Sequence, residues 1–156
     1  MLTPETVKSF STFADLGENG IKAVATLAEE KRYRAGELIF YEGDPATMLY
    51  LLLEGQVEMM MNTNAEGTRR EVVMTLGPGQ VFGWSSLVEP YQLAASAYCA
   101  TPVRVTAIPG PGLRALMTVS CAFGLRLMEK VCQAASMQLR AARVQLLNTI
   151  PQKELC

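Results

Sequence analysis

Short apolar runs separated by glycine-containing turns fill the middle of the chain, between residues 31 and 109. Three segments within it alternate between apolar and polar side chains, beginning at Val57, at Val72 and at Val103. Alternation with a period of two is the pattern of a half-buried strand, with one face in a core and the other in water. Many such strands joined by regular turns predict a sandwich, a roll or a barrel.

Helices are predicted on both sides of this β segment. Thr3-Pro4-Glu5 supplies an N-cap, a proline at the first helical position and an acid in the first turn. We expect a helix from there to about Phe13 and a second one that ends at Glu29-Glu30-Lys31. Pro109-Gly110-Pro111-Gly112 is interpreted as a boundary, because prolines disrupt regular structure. Beyond it the sequence predicts a short helix over about 113–119 and a long one over about 120–148, before Pro151.

The long helix carries an uninterrupted heptad repeat, called the seam below. Its eight apolar residues are spaced alternately by four and three positions: Cys121, Leu125, Met128, Cys132, Ala135, Leu139, Ala142 and Leu146. A second apolar face covers only the first half: Phe123, Leu127, Val131 and Ala134. Two apolar faces on one helix need two partners. We therefore expect the second face to dock on the β segment and the seam, from Leu125 to Leu146, to pair with a second copy. The alternative is that the seam packs within one subunit.

The composition excludes several classes of function. No histidine occurs among the 156 residues, which removes His-based catalytic triads, His–metal centres and His proton shuttles. The four cysteines form no CxxC pair and no metal-ligand cluster. We expect no metal, no cofactor and no catalytic residues. Lys and Arg number 14 against 15 Asp and Glu, so no basic surface for nucleic acid is indicated.

The sequence also bears on compartment. The N-terminus lacks the basic start and apolar core of a signal peptide. No apolar run approaches the roughly 18 residues that a membrane span needs. We expect a cytoplasmic protein with reduced thiols and without membrane contact.

Four turn motifs occur in order along the β segment: Arg34-Ala35-Gly36-Glu37, Glu42-Gly43-Asp44-Pro45-Ala46, Glu54-Gly55-Gln56-Val57, and Leu76-Gly77-Pro78-Gly79-Gln80-Val81-Phe82-Gly83. Over about residues 13–149, with the flanking helices, the chain resembles the cyclic-nucleotide-binding domain of catabolite-activator-type regulators, kinase regulatory subunits and gated channels. The resemblance implies an α+β fold that is mainly β. It has an eight-stranded antiparallel β-roll of the jelly-roll (double-stranded β-helix) type and a long C-terminal dimerisation helix. Residues 1–156 would then form one domain, with N-terminal helices (1–30), the β-roll (31–109) and C-terminal helices (110–149).

The segment that aligns with the family's phosphate-binding cassette departs from the family pattern. In the family, Phe-Gly-Glu opens the cassette and an Arg closes it; the Glu binds the ribose and the Arg binds the cyclic phosphate. Here Trp84 stands at the position of the Glu, and the Arg position falls on Leu93, or on Gln92 if the register slips by one. No Lys or Arg occurs from Glu71 to Val103, so the segment offers a phosphate no local cation. The candidate pocket residues are Phe82, Gly83, Trp84, Ser85, Ser86, Leu87, Gln92, Leu93, Ala94 and Ala95.

Individual residues leave alternatives open. Trp84 either packs as core or stacks on a flat ligand. Ser85 and Ser86 begin a short helix whose first N–H groups would form a weak anion site. Arg114 and Arg126 either reach other groups or are solvated helix charges, and the second interpretation is favoured.

Together these observations predict a regulatory, ligand-sensing module whose ligand is changed or weakly bound, and not an enzyme. The alternative is a dimerisation or protein-interaction domain of the same fold that binds no ligand. The expected partners are a small-molecule effector, a second copy of the chain and a protein partner. Direct DNA binding is not expected, since activator members append a helix-turn-helix after the long helix and only five residues follow Pro151 here.

Overall fold

Eight strands form two antiparallel four-stranded sheets in the computed structural model, which describes residues 3–14 and 16–149. The first sheet has the order β1-β8-β3-β6 and the second the order β2-β7-β4-β5. The strands are β1 (Glu29–Tyr33), β2 (Leu38–Phe40), β3 (Met48–Glu54), β4 (Val57–Asn62), β5 (Arg70–Leu76), β6 (Val81–Phe82), β7 (Ser96–Cys99) and β8 (Val103–Pro109). This arrangement confirms the predicted antiparallel β-roll.

Two hydrophobic cores lie on opposite faces of β3. Leu49 and Leu51 belong to a core shared with the helices, whereas Tyr50 and Leu52 belong to a core between the two sheets. Successive side chains of a strand point to opposite faces. The apolar run of β3 is therefore buried on both sides, and this strand joins the helices to the second sheet.

Five α-helices flank the sheets: α1 (Pro4–Ser9), α2 (Ser11–Ala14), α3 (Gly17–Leu27), α4 (Gly110–Val119) and α5 (Cys121–Thr149). The Thr3 side chain accepts a hydrogen bond from the Thr6 amide at 3.4 Å, as the N-cap prediction requires. Among the helices of residues 3–14 and 16–149, none combines the length and the apolarity needed to cross a bilayer. The expected helix stop at Pro151 lies outside the described residues.

The β-roll begins two residues earlier than predicted and the short helix α4 about three residues earlier, whereas the division between the roll and the C-terminal helices lies between residues 109 and 110, where it was expected. Glu29-Glu30-Lys31, expected to end a helix, begins β1, where Glu29 pairs with Ala107 of β8. Strand pairing with a distant segment overrides the weak helix preference of three charged residues. Pro109 ends β8, and α4 begins directly at Gly110. A proline is tolerated at a strand end and in the first helical turn, so the two prolines do not separate the elements.

The turn between β3 and β4 depends on a glycine. Gly55 has φ +93°, and a Cβ at this position would lie 2.2 Å from the Pro102 carbonyl oxygen. Gly43 has a similar φ of +89° but no atom within 4 Å of such a Cβ. Gly43→Ala is therefore expected to cost about 1–2 kcal/mol of unfolding free energy, and Gly55→Ala about 3 kcal/mol. Urea unfolding of both variants measures the difference; equal losses would contradict the close approach.

Candidate functional site

A cavity of about 440 Å³ lies between the second sheet, the segment after β6 and the C-terminal half of α5. This volume is in the range of small-molecule sites. It is lined by Phe40, Met59, Met61, Val73, Met74, Leu76, Val81, Phe82, Gly83, Trp84, Ser85, Leu93, Ala94, Ala95, Ala135, Gln138, Leu139, Ala141, Ala142 and Gln145.

Most of the predicted pocket residues lie at this cavity. The seven that line it are Phe82, Gly83, Trp84, Ser85, Leu93, Ala94 and Ala95. Three do not line it. Ser86 is fully buried and donates its hydroxyl hydrogen to the Gly83 carbonyl at 2.8 Å. Leu87 belongs to the core shared with the helices, and Gln92 is exposed where it pairs with Pro45.

The cassette opens with a tight turn and one short 3-10 turn rather than with an α-helix. Gly83 has φ +82°, and a Cβ there would lie 2.7 Å from the Met48 carbonyl oxygen. A single four-residue 3-10 turn, Trp84–Leu87, follows, and within it the Ser86 amide donates to the Gly83 carbonyl at 3.1 Å. The anion site expected at this helix start remains a prediction. A helix of four residues has almost no dipole, and the Ser86 amide already has a partner.

Trp84 combines the two roles that the sequence left open. Its half-buried side chain packs against the core shared with the helices. The same residue lines the cavity. Since an indole has one N–H donor and no acceptor, it offers a ligand mainly an aromatic surface.

Two walls of the cavity were not predicted. One is a methionine wall, Met59, Met61 and Met74, on adjacent strands β4 and β5. The alternation of Val57, Met59 and Met61 is the one sequence feature that bears on this wall, because it places these side chains on one strand face. Nothing in the local sequence distinguished a cavity wall from ordinary core.

The other wall is the C-terminal half of α5. Ala135, Leu139 and Ala142, all from the seam, line the cavity together with Gln138 and Gln145. The Gln145 amide nitrogen donates to the Val73 carbonyl of β5 at 3.4 Å. The helix therefore covers the cavity of its own chain, a contact between segments about 70 positions apart.

The described lining of the cavity carries no charge. Within residues 3–14 and 16–149, none of the side chains that line it is ionisable at neutral pH. The two arginines that flank residues 71–103, the stretch without Lys or Arg, are engaged elsewhere. Arg70 lies 4.7 Å from the Tyr41 ring and 5.4 Å from the Tyr98 ring. Arg104 forms ion pairs with Glu30 and Glu54 at 3.4 and 2.6 Å.

Three seam residues, Ala135, Leu139 and Ala142, line the cavity although they are also exposed. The other exposed seam residues, Cys121, Leu125, Cys132 and Leu146, do not line it and form the exposed part of the seam. Leu125 and Leu146 are 64% and 65% exposed, Leu139 is 53% exposed, Cys132 is exposed and Met128 is half-buried. The second face of α5 is buried through Phe123, Leu127 and Val131, with Ala134 half-buried. It lies in the core shared with the helices, and α5 packs mainly on α4 rather than on the β segment, where the sequence predicts it to dock. The exposed part of the seam is thus left without a partner in a single described chain.

Two buried ionisable groups make the domain sensitive to alkali. Tyr50 stacks on the cavity residue Phe82 with ring centroids 5.0 Å apart, and burial raises the pKa of Tyr50 to about 12. Burial, with a smaller contribution from Glu37, raises the pKa of Cys99 to about 11. Both groups resist ionisation only in the folded protein.

The free energy of unfolding is therefore expected to be constant up to about pH 9 and to fall as the pH rises towards 11 to 12. Over that range the unfolded chain releases protons that the folded one retains, at up to about 1.4 kcal/mol per pH unit for each group. Urea unfolding at a series of pH values measures this dependence. Cys99→Ala should flatten the curve between pH 9 and 11, and an unchanged slope would contradict the assignment.

Comparison with known proteins identifies the family. The model of the cyclic nucleotide-binding domain matches residues 30–120. The chain is 29% identical over 102 residues to the cyclic AMP receptor protein of Thermus thermophilus, an alignment that covers 65% of this chain and 46% of that protein. The chain belongs to the cyclic nucleotide-binding domain family.

Solved structures agree with this membership. A crystal structure from Geobacter metallireducens, of a protein assigned provisionally as cyclic nucleotide-binding, is 37% identical with a TM-score of 0.79. It covers 89% of this chain and 99% of the other. A cyclic nucleotide-binding domain from Methylobacillus flagellatus is 18% identical with a TM-score of 0.77, covers 94% of this chain and 82% of that one, and supports the fold alone. The alignments span only 22% to 46% of the length of the curated relatives that the chain matches.

Proposed function

We propose that this chain is a regulatory sensor module without catalytic activity, whose cavity takes a neutral, mainly apolar ligand instead of a cyclic nucleotide. One observation carries the proposal: among the residues that the structure describes, no charged side chain lines the cavity. A cyclic nucleotide brings one full negative charge into this space. Leu93 occupies the position of the family arginine, and it is buried with its side chain at the cavity.

The missing cation accounts for most of the expected loss of affinity for a cyclic nucleotide. A hydrogen bond to a charged group contributes about 1.5–3 kcal/mol. A charge that is buried without a partner costs about 3–5 kcal/mol. Trp84 adds a second loss, because its indole cannot accept a hydrogen bond from a ribose hydroxyl. Even the smallest of these amounts weakens binding roughly tenfold, and their sum exceeds a thousandfold.

The chemistry of the lining indicates what the cavity accepts. Phe40, Phe82 and Trp84 supply aromatic surface. The three methionines of the methionine wall supply flexible, polarizable surface that adapts to irregular shapes. Ser85, Gln138 and Gln145 supply the few polar groups. This lining favours a neutral aromatic ligand with one or two hydrogen-bonding groups.

The same proposal includes a two-fold dimer through the exposed part of the seam. Leu125 and Leu146 lie 21 positions apart, three full heptads, on the same helix face. A second copy offers an identical stripe, and self-complementary two-fold contacts are the commonest form of association between identical chains. Pairing would cover leucines that are otherwise more than half exposed.

Calorimetric titration tests the ligand part of the proposal. Cyclic AMP and cyclic GMP are expected to bind with dissociation constants above about 100 μM. The neutral aromatic dye N-phenyl-1-naphthylamine is expected to bind in the cavity with a blue-shifted emission, and Leu93→Arg should weaken it by placing a charge there. Cyclic-nucleotide binding at or below about 1 μM would overturn the proposal.

A thermal-shift screen over nucleotides and neutral metabolites tests the alternative, a domain used only for association. A ligand at 100 times its dissociation constant adds about 2.7 kcal/mol of stability and raises the melting temperature. If neither the dye nor any metabolite stabilises the fold, the module is an association domain. The open cavity of about 440 Å³ favours the ligand-binding function.

A further inference from the structure

We propose that Arg114 of α4 is a positioning residue of the cavity. It holds both ends of the short loop from Ser86 to Tyr91 and so fixes Trp84 and Ser85 on the cavity wall. The role is independent of which ligand the cavity takes. It also contradicts the interpretation of Arg114 as a solvated helix charge, since the side chain is half-buried and has two partners in this loop.

The first contact is a hydrogen bond from the Arg114 guanidinium to the Ser86 carbonyl oxygen. The donor carries a full charge, and such bonds are roughly twice as strong as neutral ones. Ser86 itself is fully buried, so its carbonyl has little access to water as an alternative partner.

The second contact is a stack of the guanidinium on Tyr91, with the guanidinium carbon 4.1 Å from the ring centroid. Tyr91 has φ +55°, a conformation that a residue with a Cβ seldom adopts. Its carbonyl accepts a hydrogen bond from the Ala46 amide at 2.7 Å. One planar side chain therefore binds the beginning of the loop through its edge and the end of the loop through its face.

The backbone leaves room for this arrangement. At Gly110, the first residue of α4, a Cβ would lie 2.8 Å from the Ser86 carbonyl oxygen and 3.3 Å from Arg114 Nη1. Any other residue at this position would push the carbonyl and the guanidinium apart. None of the four ion pairs found among residues 3–14 and 16–149 includes Arg114, so no carboxylate competes for it there.

The contact joins two walls of the cavity. Trp84 and Ser85 precede Ser86 in the same 3-10 turn and line the cavity on one side. α4 packs on α5, with Gly124 so close to Met117 that a Cβ would lie 2.9 Å from its carbonyl oxygen. α5 in turn forms the opposite wall. Arg114 thus holds the wall that carries Trp84 in a fixed position relative to the helix pair that carries the other wall.

Trp84 reports on this position directly, because it is the single tryptophan of the chain. Arg114→Met keeps the helix propensity and the apolar stem but removes the charge and the planar donor. We expect its Trp84 emission to shift to longer wavelength and acrylamide quenching to increase. Amide hydrogen exchange of residues 84–88 should become roughly tenfold faster or more. Arg143→Met, at an exposed position on α5, is the matched control and should leave the emission, the quenching and the exchange unchanged.

Two further measurements separate positioning from general stability. Exchange in β3 reports global unfolding, and we expect Arg114→Met to change it less than exchange at residues 84–88. Tyr91→Phe retains the ring and should behave like the unaltered protein. Tyr91→Leu should accelerate amide exchange in residues 84–88, and the acceleration in the Tyr91→Leu, Arg114→Met double variant should be less than the two single effects combined. Equal acceleration of exchange in β3 and in residues 84–88, or an unchanged Trp84 emission in Arg114→Met, would overturn the proposal.

Discussion

The Trp84→Glu, Leu93→Arg double variant is expected to bind cyclic AMP roughly a hundredfold more tightly than the unaltered protein, or better. Both positions line the cavity, and the resemblance implies that the family's Glu and Arg stand at Trp84 and at Leu93, or at Gln92 if the register slips by one. The arginine supplies the cation that the phosphate lacks, and the glutamate supplies an acceptor for a ribose hydroxyl. Calorimetric titration of both proteins with cyclic AMP measures the gain.

The matched control is Trp84→Glu with Leu93→Met, which introduces the acid without the cation. It should bind cyclic AMP no better than the unaltered protein, because the carboxylate repels the phosphate. Urea unfolding of both variants checks that the fold is intact. A folded double variant that does not gain affinity would contradict the view that the missing arginine limits binding. The cavity would then be closed to nucleotides for another reason, and the association function would gain support.

The Leu125→Glu, Leu146→Glu variant is expected to sediment as a monomer, whereas we expect the unaltered protein to sediment as a dimer. Each leucine lies on the exposed part of the seam, and in a two-fold pair each glutamate would face apolar surface and the same residues of the other copy. Removal of the leucines takes away burial of about 1.5–3 kcal/mol for each side chain. Because a two-fold pair contains four such leucines, the dissociation constant should rise more than a thousandfold.

Met137→Glu is the control for this experiment. Met137 lies on the same helix and is 72% exposed, but it belongs to neither the seam nor the cavity lining. The Met137→Glu variant should therefore sediment like the unaltered protein. Leu139 is less suitable as a test, because it also lines the cavity. A dimer that survives both seam substitutions would place the interface elsewhere.

The sequence predicted the elements whose signals are local. Period-two alternation located β4, β5 and β8, and heptad spacing located α5 within one residue of its bounds at Cys121 and Thr149. The resemblance supplied the complete eight-stranded roll, including β6 and β7, which no periodicity had marked. The prediction was poorest at Glu29, where a charged run was interpreted as the end of a helix, and at the start of α4, which lies at Gly110 rather than at about residue 113. There, pairing with β8 and the tolerance of a first helical turn for proline decided the structure.

In the candidate site, too, some features follow from the sequence and others only from the tertiary structure. The sequence by itself determined that the cassette segment carries no cation of its own, because no Lys or Arg occurs from residue 71 to 103. It also determined the aromatic character of the site through Trp84. Only the tertiary structure decided that Ser86 and Gln92 turn away from the cavity, that α5 forms one of its walls, and that Arg114 reaches the cassette from α4. The physical reason is sequence separation. Residue type and spacing govern the charge and the periodicity of a segment, but the contact between two segments depends on how both pack on a common core.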